Sequence, residues 1–329
     1  MSQTFTTFNL KEFELSTGEK RRQLGAQVDD ICRATGFLAI TGHGVSGEVI
    51  DGLWAQASAF FDQSYELKSR LKAPYPGYPY GYLGPGSEAL AKSRGVESFA
   101  DLKESFNGGP LSIPEGMVDE DALKFCYAKT LWPDNLPAFQ PAWRAYYGAM
   151  EDLAFRIMRL FAVALKLPED AFDETIDKPI SALRALNYPA QTVAPEPGQL
   201  RAGAHSDYGS LTILLPQSGS QGLEILTREG DWLGVPPIED AFVINIGDLM
   251  ARWTNDRWVS TLHRVVNPPD SEAAKKRRQS FAYFHQPNWH QQITCLPSCL
   301  EPGETCKYEP VDSGPYLMSK FQATVKTPK

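Results

Sequence analysis

A chain of 329 residues sets 32 Lys and Arg against 40 Asp and Glu, a formal charge of -8, with 42% hydrophobic and 22% charged residues. The composition is that of a globular protein, and its acidity argues against nucleic-acid polymers and anionic membrane surfaces as partners. No apolar run reaches the roughly 18 residues that a membrane span needs. The first residues lack a basic-then-apolar signal pattern, and the five cysteines have no disulfide-framework spacing, so a reducing cytoplasm is the expected compartment.

The chain opens with helix signals. Ser16 and Glu19 form a candidate capping box, and Leu24, Val28, Ile31 and Cys32 follow at helical spacing. Gly36 ends that helix, Phe37 to Ile40 reads as a short strand, and Gly42-His43-Gly44 reads as a turn. Ser46 caps a second helix whose apolar face includes Leu53, Ala57, Phe60 and Phe61. Residues 73–86 (APYPGYPYGYLGPG) form a Pro/Gly/Tyr loop with no regular structure expected. It reads either as packed surface or as part of a substrate mouth. From about Ala138 to Leu167, Trp143, Tyr147, Met150, Leu153, Ile157 and Phe161 make the stripe of a long scaffold helix.

The character changes near Ile180. Strand-like runs follow at 180–188, 203–207, 211–215, 222–226, 232–235, 241–246, 257–266 and 278–284. Gly219, Gly230, Asp256 and Pro268-Pro269 punctuate them. Many short strands with turn punctuation predict a sandwich or barrel, and this number suits a jelly roll. The tail after Ser313 reads as a helix. The expected fold is mainly β with flanking helices. A double-stranded β-helix (jelly roll) over 178–287 is wrapped by an N-terminal α-rich region over 1–177. An extension with a helix closes it over 288–329.

Histidines are few, at 43, 205, 263, 285 and 290. His205 and Asp207 stand two apart, which puts both side chains on one face of a strand. With His263 they make two imidazoles and one carboxylate, a facial set that holds Fe(II) and leaves positions open for other ligands. Arg278 and Ser280 share a strand face in the same way. An inward guanidinium needs an anionic partner, and a dicarboxylate held bidentately, with the Ser hydroxyl donating as well, supplies one.

These residues, with the stretches ATGFLAITGHGV, GYLGPGSEAL, DLKESF, FVINIGDLMARWTND and STLHRVVNPP, resemble the 2-oxoglutarate/Fe(II)-dependent dioxygenases of the isopenicillin N synthase-like branch. HSDYGSLTILL, RWTND and SFAYF are most similar to the thymine dioxygenase (thymine 7-hydroxylase) group. The resemblance implies His205, Asp207 and His263 as iron ligands. It implies Arg278 and Ser280 on the distal carboxylate of 2-oxoglutarate, supported by Tyr188. Leu186 stands where plant members carry Asn. Dioxygen is the third reactant, and the implied chemistry releases succinate and CO2 while a C–H bond of a small molecule is hydroxylated. Desaturation and ring closure are other fates in that family.

Strand parity then points to a substrate pocket. If Arg278 and Ser280 face inward, so does Phe284, and if Tyr188 does, so do Leu186 and Arg184. Tyr208 and Phe284 would flank a flat or apolar substrate, and Arg184 would bind its carbonyl or carboxylate. The competing reading has both aromatics filling the barrel and Arg184 paired with a nearby acid. Ser181 stands where the thymine group carries a base-reading Asn, which counts against thymine itself.

His43 reads as a structural turn histidine, and His285 has the wrong parity to replace His263. Cys295, Cys299 and Cys306 with His290 lack the knuckle spacing of zinc sites. Lys275 to Arg278 reads as a solvated hairpin turn. The sequence sets no oligomeric state, and a monomer is compatible with it. Three other functions remain open: an iron oxidase that does not use 2-oxoglutarate, a non-catalytic jelly-roll binding module, and a zinc hydrolase. The last leaves Arg278 and Ser280 without a task.

Overall fold

A computed structural model describes residues 5–95, 98–191, 195–268 and 275–325. Pro269, expected in a turn, lies outside them. The N-terminal part supplies strands β1 (Thr7–Asn9), β2 (Phe37–Thr41), β3 (Gly81–Leu83) and β4 (Glu104–Gly108). The next part supplies β5 (Ala182–Tyr188), β6 (Ala202–His205), β7 (Leu211–Pro216), β8 (Leu223–Leu226) and β9 (Trp232–Gly234). It continues with β10 (Phe242–Ile246), β11 (His263–Val265) and β12 (Arg278–His285). Two short strands follow, β13 (Gln292–Ile293) and β14 (Val311–Asp312).

Eight strands form the major sheet in the order β1-β2-β10-β7-β12-β5-β4-β3, and four form the minor sheet in the order β6-β11-β8-β9. Together they make the expected mainly β architecture with flanking helices. The N-terminal part does more than wrap this core, because β1 to β4 extend the major sheet at both edges.

One helix decides which face of the major sheet looks inward. Helix Phe139–Ala164 carries a continuous buried stripe that includes Trp143, Tyr147, Met150, Leu153, Ile157 and Phe161. It lies against the outer face of β12, where Tyr146 meets Phe281 at 5.7 Å and Tyr147 meets Tyr283 at 5.2 Å between ring centroids. Each of these aromatics is worth about 2 kcal/mol or more when fully buried. A one-residue slip of β12 would expose that surface to the cavity. The packing therefore turns Arg278, Ser280, Ala282 and Phe284 inward.

Several local expectations change. The helix Gly18–Ala34 starts at Thr17 without a side-chain cap. Ser16 instead ends the preceding helix, its hydroxyl donating to the Phe13 carbonyl at 2.6 Å. Ser46 does cap the helix Gly47–Phe61, accepting from the Glu48 N–H at 3.2 Å. Gly36 has φ +64°, and a Cβ there would sit 2.0 Å from the Val259 carbonyl, so only glycine fits. The Pro/Gly/Tyr loop contains a strand after all. β3 pairs with β4 because Tyr82, facing Phe106, is buried and anchors that stretch. The run at 257–266 is a strand only over β11. Asn255 and Asp256 take positive φ, and Trp258 is buried behind the helix Asp248–Trp253, so the chain turns before it extends.

The cysteines also differ from expectation, since Cys295 and Cys306 are bridged. They flank the excursion between β13 and β14, whose pairing brings the two ends together. Cys32, Cys126 and Cys299 are buried thiols. His290 is exposed and faces Asp119 at 3.7 Å, well apart in role from any cysteine cluster. Among the described residues no helix is long and apolar enough to cross a membrane.

Candidate active site

His205 ends β6 and His263 begins β11, and the two strands place them directly opposite each other. Their rings lie 4.3 Å apart between centroids. Asp207 falls two residues beyond the end of β6, so it does not share with His205 the strand face that the spacing predicted. The turn that follows His205 delivers its carboxylate instead. Asp207 Oδ1 lies 3.9 Å from His205 Nε2 and 3.8 Å from His263 Nε2. One ligand atom from each of the three falls within 4.8 Å of the others, and among the described residues this is the one such group of His, Cys, Asp or Glu.

The surroundings aim these atoms. His205 Nδ1 donates to the Gly203 carbonyl at 2.8 Å, and His263 Nδ1 to the Thr261 carbonyl at 3.2 Å. Each imidazole thus keeps its Nε2 lone pair free for the centre of the group. Asp207 Oδ2 accepts from Thr212 Oγ1 at 2.5 Å and Asn245 Nδ2 at 2.7 Å, which leaves Oδ1 to face the imidazoles. Burial, reinforced by His263, lowers the His205 pKa well below its ordinary value. Burial alone would raise Asp207, but the two imidazoles, with Thr212 and Asn245, outweigh it and hold the carboxyl below its ordinary range. Neutral imidazole and ionised carboxylate are the forms that bind a metal.

A cavity of about 200 Å³ opens from this group. Arg278, Ser280, Tyr188 and Leu186 are among the residues that line it. Arg278 pairs with Tyr188 across β12 and β5, and Ser280 with Leu186. The Arg278 guanidinium lies 5.0 Å from the Tyr188 ring centroid. Arg278 is 5% exposed, its Nε has no partner, and no described carboxylate pairs with it. A buried cation without a counterion is costly, and an anionic guest relieves that cost.

Arg184, Tyr208 and Phe284 line the same cavity. Arg184 does not arrive alone. Its Nη1 donates to both oxygens of Glu88 at 3.1 Å, and its guanidinium lies 5.9 Å from the Phe284 ring. Lys103 stands 3.5 Å from Glu88 and 2.6 Å from Asp101. Burial would raise Glu88, yet the charges of Arg184 and Lys103 bring it down to about 2. Asn107 and Gln286 also face the cavity, each with a side-chain carbonyl oxygen that has no partner. From the loop, Pro79 and Tyr80 reach the cavity, so that segment is both packed surface and wall. Leu317 and Phe321 of the helix Ser313–Val325 cover another side.

The remaining histidines lie elsewhere. His43 Nδ1 accepts from the Val45 N–H at 3.0 Å within its turn. His285 faces away from the cavity, at 2.7 Å from Ser210 Oγ. Ser181 Oγ accepts from the Gln286 N–H at 3.1 Å. Glu88, Lys103, Thr212, Asn245, Asn107 and Gln286 were not singled out from sequence. The motifs that hold four of them, GYLGPGSEAL, DLKESF, HSDYGSLTILL and FVINIGDLMARWTND, were visible as resemblances without a role for each side chain.

A facial N,N,O donor set and an unpaired guanidinium lining one cavity suit two guests, a divalent iron and an oxo-dicarboxylic acid. The comparisons agree with that pairing. The family model described as 2OG-Fe(II) oxygenase superfamily matches residues 179–287. A second, described as non-haem dioxygenase in morphine synthesis N-terminal, matches residues 7–135. The chain belongs to the 2OG-Fe(II) oxygenase superfamily and is a 2-oxoglutarate-dependent dioxygenase, an oxidoreductase that uses iron.

Among its relatives is the 2-oxoglutarate-dependent dioxygenase htyE of Aspergillus rugulosus. It is 31% identical over 311 residues, covering 92% of this chain and 93% of the relative. A homoarginine-6-hydroxylase of Oryza sativa subsp. japonica is 31% identical over 91% of this chain and 88% of its own. The full-length T7H of Neurospora crassa, crystallised with alpha-KG and thymine, superposes with a TM-score of 0.84. It is 28% identical over 97% of this chain and 96% of that chain. These likenesses favour the dioxygenase over the oxidase, binding-module and zinc-hydrolase readings.

Proposed function

We propose that His205, Asp207 and His263 hold the Fe(II), and that Arg278 and Ser280, with Tyr188 beside them, hold the distal carboxylate of 2-oxoglutarate. The observation that carries this is the buried Arg278, without a carboxylate partner among the described residues, in the wall of the cavity that the three ligands share. With iron and dioxygen bound, the family's chemistry couples oxidative decarboxylation of 2-oxoglutarate to oxidation of a substrate C–H bond, releasing succinate and CO2. The chain's own residues orient that chemistry. Thr212 and Asn245 hold Asp207 Oδ2 and leave Oδ1 toward the two imidazoles, where it would serve as the carboxylate ligand, and the apolar walls would exclude water. The jelly-roll part, 178–287, carries these residues. The part before it contributes Glu88, Lys103 and Asn107, and the extension after it contributes Leu317 and Phe321.

Arg184, Tyr208 and Phe284 form the substrate end of this reading. Because Glu88 already neutralises Arg184, the pair offers a donor and an acceptor side by side. A neutral, flat small molecule with a carbonyl and an N–H or O–H on one edge suits it better than a carboxylate. The lone carbonyl oxygens of Asn107 and Gln286 add two acceptors to the same wall.

The test is anaerobic titration of the metal-loaded protein with 2-oxoglutarate, reading the visible charge-transfer band of the chelated oxo acid. Wild type forms the band. Arg278→Ala weakens 2-oxoglutarate binding by about tenfold or more, and His263→Ala loses iron. Unchanged 2-oxoglutarate affinity in Arg278→Ala would move Arg278 to the substrate. Succinate release, screened first with nucleobases and other small amides and then with small carboxylates, ranks the substrate classes. Turnover confined to carboxylates would overturn the neutral-substrate reading.

A further inference from the structure

Arg201 precedes β6, on the segment that ends in His205, and it is 3% exposed. Its Nε has no partner. Its one hydrogen bond to a described residue is a long one, from Nη2 to the Lys276 carbonyl at 3.5 Å. No described carboxylate pairs with it. Its guanidinium lies 6.0 Å from the ring centroid of Tyr188, the same ring that has Arg278 at 5.0 Å. Two buried guanidiniums therefore border one tyrosine, and neither has a counterion among the described residues. Burial, and then the charge of Arg278, lowers the Arg201 pKa, as expected of two cations that sense each other.

Other buried or half-buried cations among the described residues do meet carboxylates. Lys68 meets Glu104 at 2.8 Å, Lys103 meets Asp101 at 2.6 Å, and Arg184 meets Glu88 at 3.1 Å. The two exceptions share Tyr188: Arg278 lines the cavity, and Arg201 stands beside the same ring without lining the cavity itself. Two uncompensated cations destabilise the empty fold, and a bound anion relieves both at once.

We propose that Arg201 is a second cation of the 2-oxoglutarate site, a positioning residue that acts from outside the cavity lining, through Tyr188 and its own charge, on the distal carboxylate that Arg278 holds. It selects an oxo-dicarboxylic acid over an oxo-monocarboxylic acid of the same length. The inference rests on the assignment of Arg278 to that carboxylate.

The experiment uses the full chain loaded with Fe(II) under anaerobic conditions. The charge-transfer band is titrated with 2-oxoglutarate and, separately, with 2-oxovalerate, which has the same carbon chain and no distal carboxylate. Arg201→Met keeps the aliphatic bulk and removes the charge. Its 2-oxoglutarate Kd should rise about tenfold, while its 2-oxovalerate Kd stays within about twofold of wild type. Arg201→Lys should recover most of the 2-oxoglutarate affinity. The metal-free Arg201→Met variant should melt no lower than wild type, because removing one of two like charges relieves repulsion, and 2-oxoglutarate should raise its melting temperature less.

If Arg201→Met binds 2-oxoglutarate as wild type does while Arg278→Ala does not, the proposal is overturned and the Arg278 assignment stands. If both bind normally, the assignment beneath it has failed. Equal weakening of both oxo acids in Arg201→Met means a structural disturbance and also overturns the proposal.

Discussion

Replacing Glu88 with Gln is the sharpest probe of the cavity, because it removes one charge and almost no volume. In the wild type the Glu88 carboxyl falls from an ordinary 4.5 to about 2, because Arg184 and Lys103 outweigh the opposing effect of burial. A carboxyl whose pKa is lower folded than unfolded stabilises the fold above its unfolded pKa, and that stability is lost as pH falls toward the folded value. A shift of this size corresponds to about 3 kcal/mol at neutral pH. Glu88→Gln should therefore cost about 3 kcal/mol at pH 7, shrinking to about 2 kcal/mol near pH 3.5. The assay is urea unfolding of wild type and variant, matched at pH 7, 5, 4 and 3.5. Succinate release on a substrate panel runs beside it, since an unpaired Arg184 should shift preference toward carboxylates. A stability difference that is flat from pH 7 to 3.5 would refute the ion-pair account.

Asn245→Leu removes one of two donors to Asp207 Oδ2 and should weaken Fe(II) or Co(II) binding about tenfold. Metal titration with unchanged affinity would show that Thr212 suffices. A Cβ on Gly209 would stand 2.3 Å from the His285 carbonyl, so Gly209→Ala should cost about 2 kcal/mol through overpacking. A normal denaturant midpoint in that variant counts against the close approach. Burial lowers the His285 pKa to about 3. This imidazole stays neutral when folded and charges when unfolded, so stability is full above about pH 6.5 and falls as pH drops toward 3. Between pH 6.5 and 5 the loss from this group is about 2 kcal/mol. An NMR titration showing His285 protonated at pH 5.5 would contradict it.

Strand parity made much of the site readable. β12 alternates large aromatics against the long helix with Arg278, Ser280 and Phe284 on the opposite face, and β5 alternates Leu183 and Ala185 with Arg184, Leu186 and Tyr188. A period of two in a half-buried strand is a local property, so it survives without knowledge of the fold. Asp207 reached the right neighbourhood for the wrong reason, since a turn rather than a strand presents it. Glu88 was hidden because its role depends on β5 coming beside a loop far away in sequence, and nothing at position 88 itself announces Arg184. The Cys295–Cys306 bridge was hidden for a similar reason, as β13 and β14 are too short to leave a pattern. β3 was masked by prolines and glycines on either side, and only the burial of Tyr82 against β4 makes it a strand.

His205 and His263 belong to the minor sheet, whereas Asp207 is fastened by Thr212 on β7 and Asn245 on β10, both strands of the major sheet. An ion gripped by all three would act as a rivet through the sandwich. Its affinity then gauges the spacing of the two layers as much as the quality of any one ligand. A substitution that slides the layers apart, even in the outer aromatic packing, would register as iron loss and pass for a ligand defect. Comparing backbone hydrogen exchange in β8 and β9 with and without metal separates the two cases, because only the rivet protects strands that carry no ligand.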